Sequence, residues 1–90
     1  MTKAIITVKL MTESPEVDLA KVEEDAKKVI EENKGEFGRS EIEPIAFGLK
    51  ALNVILIAEE ELGSEIFENK LAEIKGVSNA QVTDFRRALG

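Results

Sequence analysis

Few side chains in this sequence could act on another molecule. The 90 residues include no cysteine and no histidine, which removes thiol nucleophiles, imidazole bases and the usual zinc ligands together. Two kinds of candidate remain. Lys50, Arg86 and Arg87 are the only charged residues in segments 44–52 and 85–90, and a guanidinium can hold phosphate or carboxylate through two parallel hydrogen bonds. The other candidate is apolar. The run Ile42-Glu43-Pro44-Ile45-Ala46-Phe47-Gly48-Leu49-Lys50-Ala51-Leu52 sets Ile45, Phe47 and Gly48 in a turn between two strand-like segments. Hairpin tips ordinarily carry Asn, Asp, Ser and Gly, which satisfy their own backbone or tolerate positive φ. Ile45 and Phe47 do neither. Either they fold back over the end of a sheet, or they fill a pocket on another protein.

Consecutive Glu59, Glu60 and Glu61 read as a solvated acidic turn rather than a metal or catalytic cluster. Neither a metal nor a cofactor is expected. The net charge of −6 argues against a nucleic-acid partner, since such binding draws on many Lys and Arg contacts to phosphate. No apolar run approaches the roughly 18 residues of a membrane span, and the first residues lack the pattern of a cleaved signal. A cytoplasmic protein without a membrane partner, monomeric when free, is the expectation.

The elements that must position the candidate residues follow from periodicity. Ile6, Val8 and Leu10 alternate with Thr7 and Lys9, predicting a strand over about 3–10. Asp18 can cap a helix over about 18–33 whose Leu19, Val22, Ala26, Val29 and Ile30 form one stripe. Gly35 and Gly38 are expected to break it, and Ile42 to Pro44 to lead into the aromatic hairpin. Pro44 cannot donate to a ladder, so it belongs to an edge strand or a strand end. Ala51 to Ala58 is the most continuously apolar segment, as a central strand would be. Ser64 is the expected cap of a second helix with Phe67, Leu71 and Ile74 on its inner face, and Gly76 its expected end. Val77, Ala80, Val82 and Phe85 mark a last strand.

Strand, helix, strand, strand, helix, strand is the order of the ferredoxin-like βαββαβ sandwich, an α+β fold with a four-stranded antiparallel sheet and both helices on one face. Right-handed crossovers place the first and third strands in the middle. The aromatic hairpin and the arginines then lie at opposite ends of the sheet, about 20 Å apart for strands of six or seven residues. Fold alone does not decide function. A metallochaperone of this shape needs a Cys-x-x-Cys loop, and an RNA-recognition domain needs aromatics on its central strands. Both are missing.

Three segments together resemble a known family. Met11-Thr12-Glu13-Ser14-Pro15-Glu16-Val17-Asp18-Leu19, Pro44 through Leu52, and Gly76-Val77 through Val82-Thr83-Asp84 to Arg87 are similar, in order and spacing, to archaeal elongation factor 1-beta. The resemblance covers essentially the whole chain and implies a single guanine-nucleotide exchange domain over 1–90. It implies as partner the translation GTPase elongation factor 1-alpha, from which such a factor releases GDP without making or breaking a bond. In eukaryotic members the phenylalanine of the Phe-Gly turn enters a pocket on the GTPase, and a lysine near the C-terminus intrudes on its Mg²⁺ site. Matching residues puts Phe47 and Gly48 at the turn, with Lys50 beside them. Arg87, or its neighbour Arg86, then stands at the place of the lysine. Thr12 stands where the family more often has proline. The competing expectation is a small regulatory or ligand-binding ferredoxin-like domain in which Phe47 plugs the sheet end.

Overall fold

A computed structural model describes residues 2–88; Met1, Leu89 and Gly90, the last two being where no further element is expected after the strand, lie outside the described residues. Even-numbered residues of β1 (Lys3–Thr12) are buried while odd-numbered ones are half-exposed, as a strand covered on one face requires. β3 (Lys50–Glu59) shows the same alternation from Leu52 onward. These two strands pair antiparallel in the middle of a sheet of order β2-β3-β1-β4. β2 (Glu36–Pro44) and β4 (Val77–Ala88) form the edges. Pro44 ends edge strand β2, where its missing N–H breaks no ladder.

The covered face meets α1 (Leu19–Glu32) and α2 (Glu65–Leu71). Ile6, Val8, Leu10, Val54 and Leu56 of the sheet join Val22, Ala26, Ile30, Phe67 and Leu71 of the helices in one core. Each of these side chains other than that of Ala26 contributes about 1.5–3 kcal/mol on burial. Asp18 caps α1 as expected, its carboxylate accepting from the Ala20 N–H at 3.0 Å. The ferredoxin-like α+β arrangement is the one reached from periodicity.

Several local expectations are corrected. Lys34, not a glycine, takes the left-handed conformation after α1, with φ 68°. The bonds from Gly35 N to Ile30 O and from Lys34 N to Glu31 O close the helix end, the pattern in which a left-handed residue satisfies the last carbonyls. Gly35 is needed for space. A Cβ there would lie 2.8 Å from Ile30 Cγ2 and 2.9 Å from Phe67 Cε1. Gly38 does not break a helix but lies inside β2, skipped in the register between Phe37 and Arg39. Ser64 makes no side-chain capping bond. α2 stops at Leu71, five residues before Gly76, because Glu73, Ile74 and Val77 donate to carbonyls three residues back and tighten the chain into turns.

β4 carries two bulges. Its register to β1 skips Ser78 between Val77 and Asn79, and Thr83 between Val82 and Asp84. The Ser78 hydroxyl bonds the Met11 and Thr12 carbonyls at 3.3 and 3.4 Å. The N–H of Val82 donates to the Glu68 carboxylate of α2 at 3.0 Å. Each skipped residue reverses the inward–outward alternation of the strand beyond it.

Candidate functional site

The strand register places the two candidate regions at opposite ends of the sheet. Pro44 pairs with Lys50 at the hairpin end, while Ala88 pairs with Lys3, and Lys3 with Glu59, at the other. β3 alone has ten residues between these ends, which is roughly 30 Å rather than the 20 Å of a shorter strand.

At the hairpin end, Ala46–Gly48 form one 3-10 turn. Ile45 N donates to Leu49 O at 2.8 Å, and Leu49 N to Ala46 O at 3.3 Å. Phe47 sits at φ 64° and Gly48 at φ 76°. The glycine adopts this conformation freely; the phenylalanine pays about 1–2 kcal/mol for it. Sequence reasoning missed this strain, having taken Phe47 as a residue that avoids positive φ. Phe47 does not fold back over the sheet end, since 95% of its surface is exposed. Ile45 is half-buried beneath it in the chain and Lys50 is exposed.

Both faces of the hairpin root are tied. On the open face, Glu43 accepts from Asn53 Nδ2 at 3.0 Å and lies 3.5 Å from Lys9 Nζ. The Asn53 hydrogen bond, with the Lys9 charge second, holds the Glu43 carboxyl below its ordinary value of 4.5. On the covered side, the Thr12 hydroxyl donates to the Lys50 carbonyl at 2.8 Å.

At the far end, the Thr83 bulge decides where the arginines point. Arg86 pairs with Ile5 on the open face and Arg87 with Ala4 on the helix-bearing face. They therefore project to opposite sides of β4. Arg86 Nε lies 2.8 Å from Asp84 Oδ2, on the same face. Arg87 bonds Glu60 Oε1 at 2.6 Å. Glu60 belongs to the acidic turn, whose backbone is held by a bond from Glu60 N to Thr2 O at 2.8 Å. Phe85, assigned from sequence to an apolar strand position, shares the face of Arg87 and is 42% exposed. Glu68, which anchors the Val82 N–H beside the bulge, was not singled out from sequence. Glutamate in a short amphipathic helix carries no signal that its acceptor serves another strand.

Among the described residues no three Asp, Glu, His or Cys side chains gather as a metal site would need. Among the described residues no helix is long and apolar enough to cross a membrane. A concavity of about 550 Å³ is an open groove between the helices lined by Asp25, Lys28, Glu32, Lys70 and Glu73 with Val29, Asn33 and Ile74. Phe47, Lys50, Arg86 and Arg87 all lie outside it.

Comparison with known proteins gives the family of the chain. Residues 5–88 match the EF-1 guanine nucleotide exchange domain. Elongation factor 1-beta of Methanothermobacter thermautotrophicus is 43% identical over 90 residues, spanning 99% of this chain and all of that protein. The protein of the same name from Methanosarcina acetivorans is 47% identical over 81 residues, covering 89% of this chain and 91% of its own. That of Nanoarchaeum equitans is 43% identical over 82 residues, covering 90% and 100%. In fold, the chain is similar to the C-terminal domain of the MgtC protein from Mycobacterium tuberculosis. The TM-score is 0.62 at 12% identity, over 98% of this chain and 88% of that one, a likeness of architecture alone. By domain match and by relatives of nearly equal length, the chain belongs to the elongation factor 1-beta family of translation elongation factors.

Proposed function

We propose that this chain acts over residues 1–90 as a single exchange domain that releases GDP from the translation GTPase elongation factor 1-alpha and lets GTP replace it. The observation that carries the reading is Phe47, an aromatic side chain 95% exposed on a turn already bent into a strained shape. Strain of this kind persists where the surroundings over-determine it, and it collects at binding clamps. A regulatory small-ligand domain, the competing reading, needs Phe47 packed against the sheet end, and it is not.

The mechanism follows from charge and distance. A translation GTPase holds GDP through a phosphate-binding loop and a Mg²⁺ ion that neutralises phosphate oxygens. Phe47 and Gly48, flanked by Lys50, anchor the factor on one part of the GTPase. The β4 end brings a guanidinium to the phosphate and Mg²⁺ region of the same partner, where it competes for phosphate oxygens or for the carboxylates around the ion. Arg86 and Arg87 face opposite sides, so one leads, and either Arg87 or Arg86 takes that part. To accelerate release a thousandfold the factor must lower the barrier by about 4 kcal/mol. It does so by binding the nucleotide-free GTPase more tightly than the GDP-bound one, and by reciprocity GDP weakens its own binding. No bond is made or broken, so the factor is not an enzyme in the chemical sense. It works in the cytoplasm as a monomer.

The test is release of a fluorescent GDP analogue from the cognate elongation factor 1-alpha. The chain has no Trp and no Tyr, so its own emission does not interfere. Wild-type protein should accelerate release, and an Arg86→Ala, Arg87→Ala double variant with an unchanged melting curve should lose most of the acceleration. Unchanged release over a wide concentration range of wild-type protein defeats the proposal.

A further inference from the structure

Thr12 is the one buried polar side chain among the described residues, at 5% exposure. Its hydroxyl crosses between strands to the backbone of the hairpin that carries Phe47, donating to the Lys50 carbonyl at 2.8 Å across 38 residues of sequence. The regular β1–β3 pairing ends one residue earlier, at Met11 and Ala51. Beyond that point the turn has two backbone bonds of its own, from Ile45 N and Leu49 N, and Pro44 contributes no N–H. Thr12 therefore extends the hold of the central strand past the end of its ladder to the base of the turn. Its own position is secured by pairing with Val77 and by the Ser78 hydroxyl on its carbonyl. Pro15, three residues on, comes within 3.9 Å of where a Cβ on Gly48 would stand. The end of β1 and the loop after it thus buttress the turn, three residues from a phenylalanine held at φ 64°.

We infer that Thr12 is a positioning residue for the Phe47 turn, holding it in the strained, protruding shape that docks on the GTPase. The inference rests on the exchange-factor reading above. Without the hydroxyl, the hairpin is free to pivot at Pro44 and Lys50, and Phe47 can relax toward the right-handed region that its side chain favours. Association then carries the cost of re-ordering the turn, which pre-organisation had removed.

Thr12→Val keeps the shape of the side chain and removes the donor; Thr12→Ser keeps the donor. In the GDP-release assay, Thr12→Val should raise the half-saturating concentration roughly fivefold, the scale of one net hydrogen bond, with the plateau rate unchanged. Thr12→Ser should restore the wild-type value. The decisive arm is a double-mutant cycle. On a Phe47→Ala background, Thr12→Val should have no further effect, since there is no anchor left to position. In the free proteins, ¹⁵N relaxation should show increased motion at Phe47 and Gly48 in Thr12→Val alone. Thr12→Ala repeats the series if valine lowers the melting temperature. An equal penalty on both backgrounds overturns the inference and makes Thr12 a general stabiliser. So does a Thr12→Val protein indistinguishable from wild type while Phe47→Ala weakens exchange. If Phe47→Ala leaves exchange untouched, the docking reading of the turn fails, and the positioning role fails with it.

Discussion

The two ends of the sheet present different physics to a partner. At the hairpin end the exposed group is apolar, its backbone is strained, and its supports are hydrogen bonds within the chain: Thr12 to Lys50 O, and Ile45 N to Leu49 O. At the other end the exposed groups are cations on an extended strand, each resting on a nearby carboxylate, Arg86 on Asp84 and Arg87 on Glu60. An apolar anchor gains by leaving water and is indifferent to salt. A guanidinium must exchange one anion for another and is screened. The contrast teaches a division of labour. On the proposed exchange role, the first end would contribute affinity that does not depend on the nucleotide state, and the second the difference between states that lowers the release barrier.

That division can be broken by experiment. The largest separation is expected from Phe47→Ala, which should raise the half-saturating concentration in GDP release about thirtyfold, or about 2 kcal/mol, as loss of an aromatic hot spot does. Its plateau and melting temperature should stay near wild type, because so exposed a ring supports nothing in the fold. Loss of plateau instead would merge the roles of the two ends. Next in size is Phe47→Gly. Relief of the left-handed strain should stabilise the protein by about 1 kcal/mol relative to Phe47→Ala, seen as a melting temperature about 4–8 °C higher. A smaller effect is expected from salt. Raising ionic strength should weaken the wild-type exchange activity a few-fold, and the Arg86→Ala, Arg87→Ala variant should lose that sensitivity while Phe47→Ala keeps it. The smallest concerns Glu43, whose folded-state value lies below its ordinary one, first through Asn53 and then through Lys9. Its stabilisation is complete above the unfolded value and disappears as pH falls through the folded one. Glu43→Gln should therefore melt slightly below wild type at neutral pH and coincide with it in acid below the ordinary carboxylate range.

Much of this layout was legible in the residues. Period-two alternation in Ile6, Val8 and Leu10 placed β1, and the apolar run at 51–58 placed β3 in the middle of the sheet. The uneven spacing of Val77, Ala80, Val82 and Phe85, three then two then three, is what two bulges produce, since all four share the covered face because Ser78 and Thr83 are skipped; the bulges themselves were not read from it. What sequence did not show was conformation decided by neighbours. Lys34 is left-handed because the close approach of Ile30 and Phe67 claims the next position for glycine. The end of α2 is set by turns that propensity does not distinguish from helix. The site was legible as residue types, an exposed aromatic turn and a basic strand end. Its geometry was not. Which face each of Arg86 and Arg87 takes depends on the bulge at Thr83, and the left-handed Phe47 belongs to a hairpin whose base is held from another strand.

The Thr83 bulge has a consequence for how this molecule can change over time. Substitution alters which side chain stands at a position. Loss of the single codon for Thr83 would remove the bulge and leave Asp84, Phe85, Arg86 and Arg87 opposite the same partners and on the same faces, because none of those pairings includes Thr83. The strand can thus lose this residue in one genetic step with both cations kept on their faces, and a comparison that counts identities would record the event as one gap.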